Sequence, residues 1–574
     1  MEILDASLSD NFDEERKEYA VTLKNKEDFE ELHNFIISDF KNIILINQND
    51  EYINALKFIP NRAIEIVDYR AGSDRITHYS LTEEEAKKLR EHPKISSVEI
   101  PPHKNPRVEF KTFLSQSGIF NKSSSVSSNY SNWGLVRCTN TSDSWGNGVA
   151  NVNGSYNYTL TGRGVDVVIL DSGITAYHPE WLDEKGDSRL QQIDWYTASG
   201  IAGSMSANHY KDYNGHGSHV AGIVAGKTQG WARNARIYAV KMSGLEGSEG
   251  GGISATDAFD VIRLWHINKS IDPTTGYKRP TVVNMSFGIT ATEYSTSLPA
   301  SIQYRGSTYT RGVHYSTLTQ IKNNYGWMGF QSGVNNYYYH SFFSSTYEAE
   351  VQDMINAGIH VVVAAGNNNT KIDVYGGDDY DNRWGGYTDS YYHRGGCPGA
   401  RYSIVVGNID ITYQTVSGGG PTVNYERRLS SSESGPSVHI YAPGTHIMSV
   451  SSKDNNGTND IVTTYGYSVT THPLDSYYDL FKISGTSMAA PQVTGLLACV
   501  LEAYPTMTPA QAKNWLINNS VNGLLYDTGN ATSYNTAYSL VGGNNRYLYN
   551  SFNKQEDGVV SGPLNVLNGA INLR

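Results

Sequence analysis

The segment SGTSMAAPQVTGLLACVLEAYP, residues 484–505, decides how this 574-residue chain is interpreted. It places Ser487 at the start of a strongly apolar helix, directly after Gly485 and Thr486, and the Ala-Ala-Pro run that follows requires close packing. A helix N-terminus offers unpaired amides and a positive dipole, which stabilise a negative oxygen nearby. Taken alone, Ser487 would be interpreted as an N-cap serine, so its role depends on what the rest of the chain provides.

Two further segments carry the partners that a reactive serine needs. VVILDSG, residues 167–173, places Asp171 just beyond an apolar run, where a turn or helix-cap aspartate is the simpler interpretation. NGHGSHVAGIVAG, residues 214–226, places His216 between two glycines at the start of a small-residue helix, a position that is also typical of a cap or a packed imidazole. His219 on the same helix is interpreted as structural, because no HExxH-type carboxylate accompanies the pair to make a zinc site.

Together these three residues form one chemical set. A serine hydroxyl is a weak nucleophile at neutral pH. It needs an imidazole to accept its proton and a buried carboxylate to hold that imidazole in the right tautomer. The chain order Asp171, His216, Ser487 is one of three orders known for this chemistry. The sequence therefore predicts a catalytic triad in which Ser487 attacks, His216 shuttles the proton and Asp171 orients His216.

The fold class follows from apolar runs that show no alternation. These runs are residues 165–170, 237–240, 282–285, 360–364 and 404–406. Helical stretches lie between several of them, and continuous β-branched runs alternating with helices are typical of a parallel sheet covered on both faces. We therefore predict an α/β fold with a doubly wound, mostly parallel sheet. Ligand sites in such sheets lie at the carboxyl ends of the strands, which is where Asp171 is predicted.

These motifs resemble the signatures of the subtilisin-like serine peptidases. DSG, HGSHVAG and GTSMAAP are similar to that family's three catalytic signatures, and VVNMSFG and VVVAAGN extend the similarity over roughly residues 133–520. The resemblance implies a serine endopeptidase of subtilisin-like fold. It also implies that Asn367 of VVVAAGN lies in the oxyanion hole beside the Ser487 backbone amide, where losing one donor typically costs ~10²–10³ in rate. The alternative for Asn367 is a turn residue after Gly366.

The same resemblance implies the residues that bind an extended substrate. They are Gly250, Gly251, Gly252, Ser286, Phe287, Gly288 and Gly396. The Ser-Phe-Gly run corresponds to the strand that pairs with the substrate backbone. The three consecutive glycines correspond to the segment that borders the substrate backbone on its other side, where glycine leaves room for an added strand. Gly396 corresponds to the floor of the P1 side-chain pocket, and a glycine floor predicts a deep pocket for large apolar or aromatic side chains. The alternative for these segments is an ordinary loop.

Residues 1–110 differ in composition from the rest of the chain and form a predicted first domain. They hold 23 acidic and 15 basic side chains, one glycine (Gly72) and no tryptophan. The predicted elements are a strand at 18–24, a helix at 28–40, a strand at 63–69, a helix that Thr82 and Glu85 begin with a capping box, and a strand at 95–100. This pattern predicts a small α+β, ferredoxin-like domain in which two helices lie on one sheet.

The end of this domain, HYSLTEEEAKKLREHPKISSVE at residues 78–99, resembles the inhibitory propeptide of the same family. The resemblance implies a zymogen whose first domain caps the site as an intramolecular inhibitor. It also implies that this domain assists the folding of a parallel sheet, which folds slowly because its contacts are distant in sequence. Self-cleavage is then expected within residues 105–132, a stretch that includes the predicted linker 111–132. The candidate P1 residues are Phe110, Phe113, Leu114 and Phe120.

The predicted catalytic domain spans residues 133–540 and carries two insertions, at about 289–345 and 411–482. The first is rich in tyrosine and begins next to the predicted substrate strand. It is therefore expected to form a wall of the cleft or a partner-docking surface, unless it is only decorative. A C-terminal arm, residues 541–574, has no clear periodicity and is interpreted as a packed arm or as a tether to a larger assembly.

Composition and charge exclude several function classes. A net charge of −12 argues against a nucleic-acid binder that neutralises phosphates. No run approaches the ~20 apolar residues of a membrane span. The three cysteines are too sparse for a disulfide framework or a zinc site. No cofactor is expected to be required, and a calcium site is left open without a location, because the segment after the His216 helix is shorter than the family's usual calcium loop.

The first residues lack the basic and apolar stretches of a secretory signal, which predicts a cytoplasmic protein or one associated with a virion or another particle. The expected partners are protein or peptide substrates. A rival hypothesis is a structural or particle-associated protein on the same fold, whose triad serves a single self-cleavage. A lipase or esterase is disfavoured because the serine lacks G-x-S-x-G and the triad order differs.

Overall fold

The computed structural model describes most of the chain in consecutive stretches. These are residues 16–29, 32–33, 36, 64–68, 70, 72–101, 104–105, 108–112, 132–143, 152, 158, 160–245, 250–273, 276–293, 297–331, 338–385, 390–417, 422–453 and 469–553. The strands Val108–Thr112 and Phe330–Gln331 are described as backbone only. Among the described residues, no helix is both long enough and apolar enough to cross a bilayer.

The first domain is one antiparallel sheet of four strands. In spatial order the strands are Ile66–Asp68, Ile76–Leu81, Lys17–Leu23 and Ile95–Glu99. The helix Glu83–Arg90 begins at the predicted capping box, in which Thr82 Oγ1 accepts from the Glu85 N–H and the Glu85 carboxylate accepts from the Thr82 N–H. That prediction is confirmed, whereas most of the predicted helix at 28–40 lies outside the described residues.

The part of the chain after residue 132, called the catalytic region after its predicted role, is built on a sheet of nine strands. In spatial order they are Val521–Asn522, Arg546–Tyr547, Ile440–Pro443, Ile404–Ile409, His360–Ala364, Thr281–Met285, Asp166–Asp171, Arg236–Lys241 and Leu190–Gln191. Every pair is parallel except Val521–Asn522 with Arg546–Tyr547. The predicted α/β class with a mostly parallel sheet is confirmed, and each of the five predicted apolar runs forms a strand of it.

The described residues form nine α-helices and three 3₁₀ turns. The α-helices are Glu83–Arg90, Trp133–Arg137, Trp195–Ser199, His216–Ala225, Ala255–Asn268, Leu318–Tyr325, Ser345–Asn356, Thr486–Ala503 and Pro509–Asn519, with 3₁₀ turns at Lys26–Asp28, Pro179–Trp181 and Ser551–Asn553. Thr486–Ala503 packs on the central strands and on His216–Ala225, whereas Ala255–Asn268 packs against Ser345–Asn356. Sixteen of the eighteen residues of Thr486–Ala503 are buried, so this helix is the centre of the core.

Three smaller sheets surround this core. The first sheet has the strand order Phe330–Gln331, Tyr338–Ser341, Phe287–Glu293 and Val108–Thr112. The second has the order Ser307–Thr310, Ser301–Tyr304 and Arg383–Trp384. The third has the order Ile447–Ser451, Asp479–Ile483 and Val469–Thr471. A separate hairpin pairs Gln414–Val416 with Val423–Tyr425. Within the predicted insertion 289–345, the strand Tyr338–Ser341 pairs with the far side of the predicted substrate strand. This is the position expected of a wall of the cleft.

Two predicted segments contribute to the main sheet. The predicted insertion 411–482 contains the sheet strand Ile440–Pro443, so its added elements are the hairpins on either side. The predicted C-terminal arm contains the strand Arg546–Tyr547, which pairs with Tyr441 and Asn522. The first ten or so residues of the arm therefore belong to the folded body.

Candidate active site

Asp171 and His216 meet where a strand ends and a helix begins. Asp171 ends the strand Asp166–Asp171, and His216 is the first residue of the helix His216–Ala225. The His216 Nδ1 atom lies 2.8 Å from Asp171 Oδ1, and both side chains are fully buried. A Cβ on Gly217 would lie 2.1 Å from the Gly173 carbonyl oxygen. Glycine is therefore required for the helix to start this close to the Asp171 strand.

A second buried carboxylate, Asp212, organises this junction. It accepts from the Ser172 hydroxyl at 2.9 Å and from the Gly215 N–H at 2.8 Å. It also accepts from the N–H and the hydroxyl of Ser218, at 2.9 and 2.6 Å. Burial raises the pKa of Asp212, while these four donors lower it. Asp212 thus joins the residue after Asp171 to the first turn of the His216 helix. Asp212 could not be recognised from the sequence, because an Asp ahead of Tyr-Asn-Gly is typical of an ordinary turn.

Ser487 lies in the first turn of the helix Thr486–Ala503 and is fully buried. Its hydroxyl donates to the Ser286 carbonyl oxygen at 3.0 Å, and the Ser286 hydroxyl donates to the Ser487 carbonyl oxygen at 2.9 Å. Among the described residues His216 Nε2 has no hydrogen-bond partner. The Ser487 hydroxyl is therefore turned toward Ser286 of the predicted substrate strand, and not toward His216 Nε2, its predicted proton acceptor.

His219 has a structural environment. Its Nε2 lies 3.2 Å from the carbonyl oxygens of Ile447 and Phe481, and its ring meets the Phe481 ring edge-on at 4.7 Å. Burial is the main cause that lowers the pKa of His219 to about 3, with His216 adding to the effect. The imidazole is therefore neutral and ties the His216 helix to the strands Ile447–Ser451 and Asp479–Ile483.

Asn367 has the features expected of an oxyanion donor. Its Oδ1 accepts from the Thr486 N–H at 3.1 Å and from the Thr486 hydroxyl at 3.2 Å. The buried Nδ2 has no hydrogen-bond partner among the described residues. A buried donor without a partner is costly, so Nδ2 is the atom on which the predicted oxyanion role of Asn367 depends. Thr486 directly precedes Ser487, so the amide is fixed to the start of the nucleophile helix.

The segment Ser286–Gly288, which is predicted to pair with a substrate, lies next to Ser487. Phe287–Glu293 pairs antiparallel with Val108–Thr112 on one side and with Tyr338–Ser341 on the other. Gly250 and Gly251 have φ values of 64° and 90°, and a Cβ on Gly252 would lie 2.4 Å from the Ser243 nitrogen. No strand is paired with these glycines among the described residues, so their role in binding the substrate backbone remains a prediction.

Ser341 connects the predicted P1 floor at Gly396 to a buried acidic residue, Glu433. The Gly396 carbonyl accepts from the Ile289 N–H at 2.7 Å. A Cβ on Gly366 would lie 2.6 Å from the Glu433 carboxyl carbon. The Ser341 hydroxyl donates to Glu433 Oε1 at 2.7 Å, while Oε2 has no hydrogen-bond partner among the described residues. Burial raises the pKa of Glu433 to about 8. No motif around Glu433 could have identified it from the sequence.

The described residues contain no group of three or more His, Cys, Asp or Glu side chains arranged to hold a metal ion. Asp379, in the acidic stretch 378–381, accepts from Arg305 at 2.7 Å and from Lys371 at 2.7 Å. Burial raises the pKa of Asp379, but Arg305, His393 and Lys371 together lower it below its usual value. The calcium site thus remains without a location.

Comparisons with known proteins show what this chain is similar to. A family model described as "Subtilase family" matches residues 162–542. An extracellular serine proteinase of Thermus sp. (strain Rt41A) is 26% identical over 378 residues, covering 66% of this chain and 60% of that protein. Proteinase R of Parengyodontium album is 25% identical over 408 residues, covering 70% of this chain and 69% of that protein. The chain thus spans about 60% of the length of the Thermus relative.

Solved structures of similar proteins include fervidolysin from Fervidobacterium pennivorans, a keratinolytic enzyme related to subtilisin. It is 18% identical, and the match covers 93% of this chain and 60% of that chain with a TM-score of 0.45. The names of the relatives give no support to the predicted cytoplasmic or particle-associated location, since the Thermus relative is called extracellular.

Proposed function

Because the chain belongs to the subtilase family, we propose that it is a serine endopeptidase that hydrolyses peptide bonds through an acyl-enzyme. The observation that carries this proposal is the buried 2.8 Å contact of His216 Nδ1 with Asp171, together with two buried polar atoms, His216 Nε2 and Asn367 Nδ2, that have no hydrogen-bond partner among the described residues. One is the acceptor that the Ser487 proton needs, and the other is the donor that a tetrahedral oxyanion needs.

The proposed chemistry assigns one task to each side chain. Ser487 Oγ turns from the Ser286 carbonyl toward His216 by rotation about its Cα–Cβ bond, which connects staggered rotamers. His216 Nε2 takes the proton while Oγ attacks the peptide carbonyl. Asp171, held to Nδ1 at 2.8 Å, fixes the tautomer and stabilises the imidazolium that forms. Asn367 Nδ2 and the Ser487 N–H then bind the oxyanion.

We also propose that the first domain is an intramolecular inhibitor, a role supported by its contacts with two helices. The Glu99 carboxylate accepts from the Ser344 hydroxyl at 2.6 Å, from the Ser345 N–H at 3.2 Å and from the Thr346 N–H at 3.1 Å. It therefore caps the helix Ser345–Asn356 from another domain, where the helix dipole favours an anion. This contact holds the first domain beside the substrate strand.

A buried ion cluster supplies the second contact of the inhibitor. Arg70 donates to Asp260 at 2.7 Å and to Glu350 at 2.6 Å, and all three side chains are almost completely buried. Next to it, a Cβ on Gly72 would lie 2.8 Å from Asp260 Cβ, which accounts for the domain's only glycine. Because the acids belong to the catalytic region and the arginine to the first domain, the cluster links the two.

The rival hypothesis of a structural or particle-associated protein with a single self-cleavage has no observation in its favour among the described residues. It differs from the proposal in turnover, which can be measured. The test is hydrolysis of a fluorogenic peptide library by purified protein, beside the Ser487→Ala and Asp171→Asn variants. We expect repeated turnover that Ser487→Ala abolishes and that Asp171→Asn lowers by ~10⁴-fold in kcat. A processed protein that never turns over peptides would contradict the proposal and support the rival.

A further inference from the structure

Glu433 is a buried carboxyl group whose hydrogen bonding is only half satisfied. The residue is 1% exposed. The Ser341 hydroxyl donates to its Oε1 atom at 2.7 Å, whereas Oε2 has no hydrogen-bond partner among the described residues. Burial raises the pKa of Glu433 to about 8, and Ser341 is the side chain that opposes this effect. A buried carboxylate oxygen without a donor is costly, so it calls for a structural reason or a ligand.

On one side Glu433 contacts the turn that leads to the nucleophile. Its N–H donates to the Gly366 carbonyl oxygen at 2.8 Å, and a Cβ on Gly366 would lie 2.6 Å from its carboxyl carbon. The Gly366 N–H donates to the Thr486 hydroxyl at 3.1 Å. Since Gly366 directly precedes Asn367, and Thr486 directly precedes Ser487, the carboxyl group lies close to the predicted oxyanion hole.

On its other side Glu433 contacts the wall of the predicted substrate strand. Ser341, its hydrogen-bond donor, belongs to the strand that pairs with Phe287–Glu293. The Ser341 hydroxyl also accepts from Asn368 Nδ2 at 3.3 Å, and a Cβ on Gly396 would lie 3.3 Å from Ser341 Cβ. The carboxyl group therefore lies between the substrate strand's neighbour and the turn that holds the oxyanion donor.

We propose that Glu433 forms the base of the P1 pocket and selects peptides with lysine or arginine at P1. The inference rests on the proposed peptidase function. The P1 side chain leaves the backbone one bond from the carbonyl that Ser487 attacks. It therefore enters the space between the substrate strand and Gly366, toward Glu433. This assignment replaces the apolar or aromatic P1 side chain that the glycine floor at Gly396 predicts.

A cationic side chain supplies what the carboxyl group lacks. The ammonium of lysine or the guanidinium of arginine would donate to Glu433 Oε2, and a charged pair of this kind forms a strong hydrogen bond. Burying either charge alone is costly, whereas burying the two in contact offsets much of that cost. An apolar P1 side chain would leave Oε2 without a donor, so it is accepted best when the carboxyl group is protonated.

The groups around Glu433 allow its ionisation to follow the ligand. Burial and the nearby Glu433 raise the pKa of the Cys397 thiol well above its usual value, so this thiol stays neutral. The His340 ring stacks on a tryptophan at 5.3 Å, and Arg428 donates to backbone carbonyls, including that of Ser432 at 2.7 Å. A lysine side chain stays charged up to about pH 10. Preference for a basic P1 side chain should therefore rise as the pH approaches 9.

The test is a series of four peptides that differ only in P1, which is Phe, Leu, Lys or Arg. We expect the purified wild-type enzyme to cleave the Lys and Arg peptides at least ~10-fold better than the Leu peptide at pH 9, judged by kcat/KM. The ratio of Lys to Leu should fall about 10-fold or more at pH 6.5, where Glu433 is protonated. Dividing by the Leu peptide removes the titration of His216, which affects every peptide equally.

Two variants separate a contact in the pocket from a general effect of charge. Glu433→Gln keeps the shape of the side chain and should lower the Lys-to-Leu ratio at pH 9 by ~10- to 10²-fold. Glu348→Gln is the matched control, because Glu348 is also buried and its pKa is raised to about 7. It accepts from the Arg401 N–H at 3.4 Å, and its loss should leave the ratio unchanged. Equal ratios in wild-type and Glu433→Gln enzyme would overturn the assignment.

A measurement on the wild-type enzyme alone keeps the assignment testable if Glu433→Gln does not fold. Benzamidine, a cation shaped like the arginine head group, should inhibit hydrolysis of the Leu peptide competitively and at least several-fold more tightly at pH 9 than at pH 6.5. Benzamide, its neutral counterpart, should show no such pH dependence. Preference for Phe or Leu at both pH values would overturn the assignment and leave the peptidase function standing. If none of the four peptides is turned over, the proposed function fails, and the assignment fails with it.

Discussion

Replacing Arg70 with methionine should release the first domain from the catalytic region. Arg70 is the cation of a buried cluster in which Asp260 and Glu350 accept from it at 2.7 and 2.6 Å. Arg70 is the cation that contacts both carboxylates, and Arg263 also lies 3.4 Å from Asp260. Burial raises the pKa of Glu350 to about 7, although Arg70 lowers it. Without Arg70 the complex would bury Glu350 without its paired cation, while Asp260 would keep only the longer contact with Arg263.

The magnitude follows from where the unpaired charges lie. Removing one partner of a buried ion pair costs about 3–5 kcal/mol. Asp260 and Glu350 gain access to water when the first domain leaves, so this cost falls on the complex and not on the separated catalytic region. At about 1.4 kcal/mol per factor of ten, Arg70→Met should weaken the complex by roughly 10²- to 3 × 10³-fold.

Arg75→Met is the matched control. Arg75 pairs with Asp353 at 3.0 Å across the same boundary, but the two side chains are 13% and 20% exposed. Water reaches this pair more than it reaches the Arg70 cluster, so its loss should cost less than the about 3–5 kcal/mol of a fully buried pair and more than the about 0–1 kcal/mol of an exposed one. The assay is the time course of fluorogenic peptide hydrolysis after self-cleavage, which reports how fast the bound first domain dissociates. Equal release rates for Arg70→Met and Arg75→Met would refute the reasoning.

Three further predictions follow from individual positions in the site. Asn367→Ala should lower kcat by ~10²–10³ with little change in KM, and steady-state kinetics showing an unchanged kcat would exclude its oxyanion role. Burial raises the pKa of Glu433 to about 8 from its usual 4.5, so its stabilising contribution is complete below pH 4.5 and is lost as the pH rises to 8. In a Ser487→Ala background, Glu433→Gln should therefore raise the free energy of unfolding in urea, relative to the parent chain, by a few kcal/mol more at pH 9 than at pH 5. An identical pH dependence of the two chains would contradict this. Gly217→Ala should abolish peptide hydrolysis, because its Cβ would lie 2.1 Å from the Gly173 oxygen, and full activity in that variant would show that the helix start can shift.

Much of the main sheet could be predicted because its strands are buried on both faces. Val282 and Val283, like Val361, Val362 and Val363, lie in runs with no polar alternation, and all are buried. Such runs are a strong local signal. The strand Ile440–Pro443 was missed because it is only four residues long and ends in proline. The strand Ile76–Leu81 was missed because Thr77, His78 and Ser80 interrupt its apolar pattern.

The site could be predicted where short motifs carried it and not where distant segments meet. Asp171 and His216 stand in distinctive glycine-rich contexts, and their 2.8 Å contact follows from the predicted roles. Asp212 and Glu433 gave no such signal. The environment of each carboxylate is set by donors and glycines elsewhere in the chain, such as Ser172 for Asp212 and Gly366 for Glu433. The register of Val108–Thr112 is likewise a property of pairing, which sequence periodicity does not specify.

The most direct test of the account is covalent labelling of the processed chain with a fluorophosphonate, read by intact mass and peptide mapping. The account predicts one added label, located on Ser487, and none in His216→Ala, because the serine becomes nucleophilic only when the imidazole takes its proton. A processed wild-type chain that takes no label, or a label that maps to another residue, would contradict the claim that Asp171, His216 and Ser487 form a working catalytic site.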